Sequence, residues 1–364
     1  MTLVKIVTPF LSGFGGTERV IQTLLEGTSK SASIRKRFTF ELVLLGGTLD
    51  FRWTKGTKAQ FFWLRLPKWF RKVEYLFKLP GWCCTVLKER GDVLICTNPY
   101  IWALLWTFKT LQKKPVIIIA WYHFSLAQKP VIALLLRASD KYLAISSGIQ
   151  RELIARGIQQ SDIGLVFNPV LANHELSLIP APKSQRLDLI YIGRFDYHGQ
   201  KNVSEIFLAL SMVKDPFTLR IFGKGKDQKK LERLAKQLGI AGNIRFEGFS
   251  SNVWAEVGSA DALLLSSKFE GLPLVLIESI AHGVPVVSSD CPTGPEDIVQ
   301  DGKNGFLYKM GEIKEFSERI KNIKKIRKDY SPEAIAATVQ SFNADKYVER
   351  FINLTERWTD SNVK

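Results

Sequence analysis

The sequence predicts an α/β protein made of two doubly wound domains with parallel sheets. Short apolar runs alternate with amphipathic helical segments along the chain, a pattern typical of parallel strands joined by helical crossovers. The 364 residues are 46% hydrophobic and 24% charged, which supplies enough apolar side chains for two cores. Because the alternation is interrupted once near the middle, we expect two domains that face each other across a cleft.

The first domain is predicted to span residues 1–168. Apolar runs bounded by turn residues predict seven strands: Leu3–Thr8, Phe38–Leu45, Ala59–Leu64, Val93–Cys96, Val116–Trp121, Tyr142–Ile145 and Ile163–Val166. Helical apolar spacing predicts five helices: Glu18–Ser29, Lys68–Glu89, Tyr100–Leu111, Pro130–Ala138 and Gly148–Arg156.

The second domain is predicted to span residues 169–343, after a proline-rich, aperiodic connection that ends near Ser184. Its predicted strands are Leu187–Ile192, Thr218–Phe222, Ile244–Glu247, Ala262–Leu265 and Val284–Ser288. Its predicted helices are Ser204–Met212, Asp227–Leu238, Leu274–His282, Ile313–Ile326 and Pro332–Ser341. A last helix, Ala344–Trp358, lies within residues 344–364, and we expect it to pack back on the first domain.

The net charge of +16 is concentrated in the first half of the chain. Residues 1–168 hold 24 Lys and Arg against 10 Asp and Glu, whereas residues 169–364 hold 27 against 25. Such a field attracts phospholipid headgroups, a phosphorylated glycan or nucleic acid. Between Lys68 and Lys78, aromatic residues interleave with cations, as in helices that lie at a membrane interface. Alternatively, Trp69, Phe70, Leu76 and Phe77 pack inward and only the cations are solvated.

The sequence shows no sign of export or of metal binding. Its longest apolar runs are far below the ~18 to 20 residues that cross a bilayer, and Leu3–Thr8 is predicted to be a first strand, so we expect no secretory leader. The four cysteines, Cys83, Cys84, Cys96 and Cys291, lack metal-ligand spacing, so reduced thiols in the cytoplasm are expected. Gly-x-Ser-x-Gly, His-Glu-x-x-His and Asp-x-Asp motifs are absent, and we expect neither a metal nor another cofactor.

Two glutamates eight positions apart, Glu270 and Glu278, flank a Gly-Leu-Pro turn. Glu270 follows a predicted strand, at the sheet edge where ligands of open α/β sheets dock. Backbone N–H groups at the helix start can hold an anion there, in the segment formed by Gly271, Leu272, Pro273 and Leu274. Glu278 lies about one turn inside the helix. A sugar and a ribose joined by a diphosphate would match these features, whereas the ordinary alternative is an exposed turn with a solvated glutamate.

Two cations follow the first strand of the second domain. Arg194 is the second residue after the strand end, and Lys201 comes seven residues later. Arginine can bind a phosphate through two N–H groups, and lysine can neutralise it as a point charge. Together they would stabilise the charge on a departing diphosphate, a role that otherwise falls to a metal. The alternative is a pair of surface cations beside a glycine turn.

Other strand-end loops carry weaker signals. In the first domain, Gly15 and Gly16 precede a helix, so backbone N–H groups can approach an anion there, although the loop has neither dinucleotide nor P-loop spacing. His123 follows a predicted central strand and could anchor a sugar hydroxyl or carry a proton, or it could merely be packed. In the second domain, the loops that contain Gly223 and Phe249 could read the edge of a base.

Taken together, these motifs resemble a retaining glycosyltransferase of family four, with the GT-B fold of two Rossmann-like domains. The resemblance covers essentially the whole chain. It rests on Gly15-Gly16, Gly193-Arg194 with Lys201, the segment from Glu270 to Glu278, and Asp290-Cys291-Pro292-Thr293-Gly294-Pro295. Within the family, Ser12 to Gly16, His123 to Leu126, Leu143 to Ile149, Ala155 to Ile158, Asn168 to Val170 and Gly199 to Lys201 are similar to galactosyltransferases of the lipopolysaccharide outer core.

The resemblance implies a role for each motif residue. Arg194 and Lys201 would hold the diphosphate of a UDP-sugar, Glu278 its ribose and Glu270 the transferred galactose or glucose. Gly15 and Gly16 would line the phosphates, and His123 would touch the sugar. The gap from Arg194 to Lys201 is longer than the five residues common in the wider family, which is a departure at the lysine contact.

The resemblance also implies partners and a location. The acceptor would be a glycan or glycolipid in cell-surface polysaccharide or lipopolysaccharide biosynthesis. The enzyme would be cytoplasmic and peripheral at the inner face of the cell membrane, held to anionic lipid by its basic first domain, without nucleic acid. Two alternatives stay open: a sugar-nucleotide epimerase of GT-B-like fold, and a noncatalytic basic protein that binds membrane or nucleic acid.

Overall fold

The computed structural model describes residues 1–13, 15–67, 69–170 and 177–361. The chain divides into two compact units, which are the described residues of Met1–Leu171 with Ala344–Lys364, and of Ala172–Asn343. Each unit contains one parallel sheet, so the predicted α/β class with two parallel-sheet domains is confirmed. Within the described ranges, no helix combines the length and the apolar character that crossing a bilayer requires.

The first unit is built on a seven-stranded sheet in the order β3-β2-β1-β4-β5-β6-β7, with every neighbouring pair parallel. Its strands are β1 Thr2–Leu11, β2 Phe38–Thr48, β3 Ala59–Trp63, β4 Val93–Cys96, β5 Ile117–Trp121, β6 Lys141–Ala144 and β7 Ile163–Leu165. The strands β4 and β5 are buried along their whole length, because helices cover both faces of a doubly wound sheet.

The described residues of the first unit form seven helices: α1 Gly16–Lys30, α2 Ala32–Arg37, α3 Arg71–Lys88, α4 Pro99–Leu111, α5 Ala133–Leu136, α6 Ser147–Ala155 and, near the end of the chain, α14 Ala344–Ser361. A 3₁₀ turn, Arg52–Thr54, precedes β3, and another, Gln160–Asp162, precedes β7. Val348 of α14 lies so close to Gly27 of α1 that a Cβ at Gly27 would contact its side chain. The last helix is therefore part of the first unit.

The second unit has a six-stranded parallel sheet in the order β10-β9-β8-β11-β12-β13. Its strands are β8 Leu187–Ile192, β9 Phe217–Phe222, β10 Ile244–Gly248, β11 Ala262–Leu265, β12 Val286–Ser289 and β13 Gly305–Tyr308. Its helices are α7 Val203–Ser211, α8 Gln228–Gln237, α9 Val253–Glu256, α10 Leu274–Ala281, α11 Pro295–Ile298, α12 Ile313–Asp329 and α13 Pro332–Ala337. The turns Ala241–Asn243 and Gln340–Phe342 are 3₁₀.

Differences from the predicted elements are concentrated in short segments. The helix predicted over Pro130–Ala138 forms only as α5, which begins three residues after Pro130 and ends at Leu136. The helix predicted over Pro332–Ser341 ends at Ala337 and continues as a 3₁₀ turn. The strand β13 and the short helices α2, α9 and α11 were not predicted, because four to six residues are too few for a periodic pattern. Lys68, where the helix predicted over Lys68–Glu89 begins, lies outside the described residues.

Candidate functional site

The carboxyl edge of the second sheet brings together three loops, which follow β8, β11 and β12. The loop after β11 contains Glu270, whose side chain is buried. Lys201, which lies 69 positions earlier in the chain, donates from Nζ to Glu270 Oε1 at 2.7 Å. Two of the predicted site residues therefore form an ion pair, and the longer gap between Arg194 and Lys201 does not keep the lysine away from this edge.

The loop after β12 supports the Gly-Leu-Pro turn. The hydroxyl of Thr293 donates to the backbone carbonyl of Glu270. Thr293 adopts φ +66° and Gly294 φ +103°, and a Cβ at Gly294 would lie 2.6 Å from Pro273 Cδ. Only glycine fits at such a position, because any side chain would displace the turn. The conformation of Gly271, Leu272 and Pro273 is thus held by a second loop.

Arg194 is positioned by its neighbours on the loop after β8. The hydroxyl of Tyr191 donates to the Arg194 carbonyl oxygen at 2.9 Å. Arg194 Nη2 donates to Gln200 Oε1 at 3.3 Å, and Gln200 Nε2 donates to the carbonyl oxygen of Phe269 at 3.1 Å. Gln200 therefore links the arginine to the residue that precedes Glu270, a contact that sequence reasoning missed.

The additional residues between Arg194 and Lys201 form a turn closed by Asp196. Its carboxylate accepts from the backbone N–H of Gly199 at 2.8 Å and from that of Lys201 at 3.4 Å. The helix α7 begins at Val203, whose N–H donates to the Asp196 carbonyl at 2.9 Å. A carboxylate that accepts local backbone N–H groups stabilises a tight turn. The turn sets the direction in which Lys201 leaves the chain.

Each unit has a cavity at the carboxyl edge of its sheet, of about 360 Å³ in the first unit and about 470 Å³ in the second. The second is lined by Arg194, Gly223, Phe249 and their neighbours, so residues predicted to bind phosphate and base share one pocket. Gly223 adopts φ +138°, and a Cβ there would overlap the carbonyl oxygen of Gly193. Lys224 Nζ lies 4.9 Å from the centroid of the Phe249 ring, a cation–π contact at the rim.

Glu278 lies on α10 and is held by an aromatic neighbour. Trp254 Nε1 donates to Glu278 Oε2 at 3.5 Å. The Trp254 ring stacks on His282 with centroids 4.8 Å apart, and His282 Nδ1 lies 2.8 Å from the Ser177 carbonyl oxygen. Burial lowers the pKa of His282, against the opposing effect of this carbonyl. Trp254 was not predicted as a site residue, because it belongs to a four-residue helix.

In the first unit, His123 lies at the carboxyl edge of the sheet, two residues after β5. It lines the cavity of that unit, together with Thr17, Asn98 and Tyr122. Its Nε2 atom is buried and has no hydrogen-bond partner within the part of the chain that the structure describes. Burial lowers the pKa of His123 to about 3, so the imidazole is neutral at pH 7. A neutral imidazole nitrogen can accept one hydrogen bond from a hydroxyl or donate one to it, according to its tautomer.

The glycine loop is partly occupied by a side chain of its own helix. Glu18 accepts from the Ser12 hydroxyl and from the Gly13 N–H, both at 3.0 Å. Its carboxylate lies against the Cα of Gly15, where a Cβ would clash with it; Gly15 is the N-cap of α1, and Gly16 begins the helix. Phe14 lies outside the described residues. The carboxylate of Glu18 therefore binds donors of Ser12 and Gly13 within the glycine loop, beside the predicted residues Gly15 and Gly16.

Among the described residues, no group of three or more His, Cys, Asp and Glu side chains is arranged to hold a metal ion. The buried Cys291 lies beside the carboxyl edge of the second sheet. Burial, followed by the charge of Glu270, raises the pKa of Cys291 to about 12, so the thiol stays protonated at neutral pH.

Comparison with known proteins gives the family. The family model described as glycosyl transferases group 1 matches residues 176–339. The lipopolysaccharide 1,6-galactosyltransferase of Salmonella typhimurium is 32% identical over 359 residues, which cover 96% of this chain and 97% of that protein. This chain belongs to the glycosyl transferases group 1 family. The lipopolysaccharide 1,6-galactosyltransferase of Escherichia coli K12 is likewise 32% identical, over 95% of this chain and 96% of its own length.

Two solved structures share the architecture of this chain. The apo form of the lipopolysaccharide outer core galactosyltransferase WaaB has a TM-score of 0.85 at 28% identity, over 98% of this chain and 100% of that one. The Anabaena protein HepE, in complex with UDP, has a TM-score of 0.76 at 17% identity, over 97% and 100% of the two chains, a likeness of fold alone. The protein is a glycosyltransferase, and its two parallel-sheet units are those of the GT-B fold.

Proposed function

We propose that this glycosyltransferase transfers a hexosyl group, galactose or glucose, from a UDP-sugar to a glycan or glycolipid acceptor, in lipopolysaccharide or another cell-surface polysaccharide. The reaction retains the configuration at the anomeric carbon and uses no metal, as in family four. The observation that carries the proposal is the joined cluster of Arg194, Gln200, Lys201 and Glu270 at one sheet edge.

The charges of this cluster suit a sugar diphosphate. Arg194 has a largely exposed guanidinium that can bind two phosphate oxygens. The Lys201 ammonium forms an ion pair with Glu270 and can bind a phosphate oxygen at the same time. A donor would place its diphosphate on the cations and a sugar hydroxyl on the Glu270 carboxylate. Each side chain is already held by a neighbour, which limits the reorganisation that binding requires.

The proposed chemistry needs no nucleophile from the protein. The bond between the anomeric carbon and the diphosphate oxygen breaks, and the acceptor hydroxyl attacks on the same face. Its proton passes to the departing phosphate oxygen, so charge and atoms balance. Arg194 and Lys201 neutralise the negative charge that builds on the diphosphate, which is the electrostatic role with the largest effect in such reactions.

The nucleoside is proposed to occupy the cavity of about 470 Å³. Glu278, held by Trp254, would accept hydrogen bonds from the ribose hydroxyls, and the loops of Gly223 and Phe249 would meet the base. The HepE structure contains UDP, which supports uracil as that base. The roles proposed for Gly15, Gly16 and His123 remain predictions.

The relatives named for lipopolysaccharide support an acceptor of that class. Family membership favours a transferase over the epimerase and over the noncatalytic basic protein. We further propose that the enzyme works in the cytoplasm, peripheral to the inner face of the cell membrane, where anionic lipid meets its basic first unit.

Binding and turnover test the proposal separately. UDP-galactose and UDP-glucose should raise the melting temperature, because a ligand that binds only the folded state stabilises it. With rough lipopolysaccharide as acceptor, one of them should yield UDP and an α-linked product, unchanged by EDTA. NMR of the new linkage reads the anomeric configuration. A β-linked product would contradict retention, loss of activity in EDTA would contradict metal independence, and free epimerised donor without transfer would establish the epimerase.

A further inference from the structure

Large apolar side chains face solvent on α3 and on the loop before it. Trp69 is 84% exposed, Phe77 82%, Leu76 65% and Phe70 57%, and Val73 is exposed as well. We call these five residues the α3 surface. A cluster of exposed apolar residues on successive turns of a helix is uncommon on a surface that contacts only water, and it indicates an interaction site. The interpretation in which these rings pack inward is wrong.

Helix α3 has buried apolar residues from Leu79 onward and exposed apolar residues in its first two turns. The buried residues are Leu79, Cys83, Val86 and Leu87. The exposed residues Val73, Leu76 and Phe77 repeat at spacings of three and four positions. The outer face of a helix that folds only against its own core carries polar residues. Packing within the first unit therefore does not account for the exposed apolar residues of the first two turns.

Glu74 holds the α3 surface in place. Its carboxylate accepts from the backbone N–H groups of Arg65 and Leu66, at 2.8 to 3.0 Å, and from Lys78 Nζ at 2.6 Å. Desolvation opposes ionisation, but these hydrogen bonds outweigh it and lower the pKa of Glu74 to about 2. These hydrogen bonds join the loop before α3 to the first turn of the helix, so they fix the backbone on both sides of Trp69 and Phe70.

The same edge of the first sheet continues the apolar surface. The ends of β2 and β3 are neighbours in the sheet, and the exposed Leu49, Phe51, Trp63 and Leu66 follow or end them. The Phe51 ring lies 5.6 Å from Trp63. Aromatic rings with one apolar side and one wet side are typical of the membrane–water interface.

The charges around the α3 surface are positive. Between Arg65 and Lys78 the sequence has five cations and a single acid, Glu74, whose carboxylate is buried and bound. Arg65, Arg71 and Lys72 are exposed. Apolar side chains for a headgroup layer and cations for its phosphates are the two components of interfacial binding. An anionic lipid surface complements both at once.

We propose that the α3 surface, with the adjoining ends of β2 and β3, docks the first unit onto an anionic phospholipid bilayer. The rings of Trp69, Phe70 and Phe77 enter the headgroup layer, and Arg71 and Lys72 contact phosphates. This surface would bring the enzyme to a membrane-held acceptor, so the inference rests on the proposed function and deepens it. The test of the docking surface measures lipid binding rather than sugar transfer. The docking proposal and the proposed function can therefore fail independently.

Vesicle sedimentation tests the docking surface. The full-length protein is mixed with vesicles of phosphatidylcholine and phosphatidylglycerol, or of phosphatidylcholine alone. Binding should require the anionic lipid and weaken as salt rises. The double variant W69S/F77S should lower the partition coefficient at least tenfold, since each ring loses its apolar contact. The double variant R71Q/K72Q should lower it about fivefold per cation.

The first unit offers a matched control at the opposite edge of its sheet. Leu111, at the end of α4, is 76% exposed and is followed by exposed Lys113 and Lys114. The triple variant L111S/K113Q/K114Q removes a similar combination of apolar and basic groups and should bind vesicles as the unchanged protein does. The melting temperature and its increase with UDP-sugar should be the same in all variants, because the substituted side chains are exposed.

Three results would overturn the docking surface. W69S/F77S could bind anionic vesicles as tightly as the unchanged protein, or the Leu111 control could lose as much binding. The unchanged protein could also ignore vesicles and form dimers that W69S/F77S separates, which would assign the α3 surface to a second copy of the chain.

Discussion

The carboxyl edges of the two sheets are built in opposite ways. In the second unit, charged side chains are held by other polar groups, as Lys201 is by Glu270 and Arg194 by Gln200. In the first unit, apolar rings such as Trp69 and Phe77 extend into solvent, in a part of the sequence where cations outnumber acids. Preorganised charges suit a small anionic ligand, whereas exposed rings among exposed cations suit an extended surface. We infer that one GT-B chain divides donor chemistry from surface attachment.

A substitution at Arg194 should give the largest difference between the two activities, because it should reduce sugar transfer and leave membrane binding unchanged. Arg194→Ala should lower transfer from the UDP-sugar by about 10²- to 10³-fold, because a group that stabilises developing charge is lost. The Arg194 side chain is 61% exposed, so the variant should fold. Initial rates at saturating acceptor measure the loss. Binding to anionic vesicles should not change.

Arg245→Ala is the matched control for this prediction, since Arg245 is an exposed arginine on β10 of the same unit. It should transfer at the unchanged rate. Equal losses in both variants would mean that net charge, rather than the position of Arg194, governs turnover. A vesicle-binding defect in Arg194→Ala would contradict the division between the two edges.

The site at the carboxyl edge of the second sheet could be predicted from the sequence. Glu270, Arg194 and Lys201 each follow a strand, and parallel strands bring their carboxyl ends to one side. Gln200, Trp254 and Thr293 were missed, because their roles are hydrogen bonds to residues 6 to 69 positions away. The Thr-Gly-Pro sequence after β12 was the available signal for Thr293, since glycine before proline is typical of a constrained turn.

The edge of the first unit could be predicted only as two alternatives. Periodicity identifies the side of an amphipathic helix that is apolar, but in α3 the exposed Leu76 and the buried Cys83 and Leu87 lie on the same side, so the sequence does not indicate that the first two turns are exposed. The decisive contacts are those of Glu74 with the backbone of Arg65 and Leu66, which depend on the chain reversal before α3. Backbone N–H groups are the same in all residues except proline, so hydrogen bonds to them produce no recognisable sequence pattern.

A weaker effect is expected from the contact between Trp254 and Glu278 in the second unit. Trp254→Phe removes the indole N–H that reaches Glu278 but keeps a ring to stack on His282. We expect the KM for UDP-sugar to rise about two- to fivefold at unchanged kcat, as for loss of one hydrogen bond that positions a binding group. Steady-state kinetics at varied donor concentration measure the split.

Two further variants calibrate that result. Glu278→Gln should raise the same KM more than Trp254→Phe does, and Trp106→Phe, in α4 of the first unit, should leave it unchanged. A lower kcat in Trp254→Phe would show that the ring acts on the reacting centre rather than on the ribose.

The weakest effect concerns His123 at the carboxyl edge of the first sheet, and it is measured as a change in stability with pH. The folded-state pKa of His123 is about 3, below the ordinary value of 6.5, so between these pH values the unfolded chain binds a proton that the folded protein does not. The contribution of the neutral imidazole is therefore complete above pH 6.5 and is lost as the pH falls toward 3. The free energy of unfolding in urea should fall more steeply between about pH 7 and 5 for the unchanged protein than for His123→Gln, by at most about 1.4 kcal/mol per pH unit. Parallel pH profiles would mean that the imidazole is hydrated, and the cavity of the first unit would then be open to water at this nitrogen.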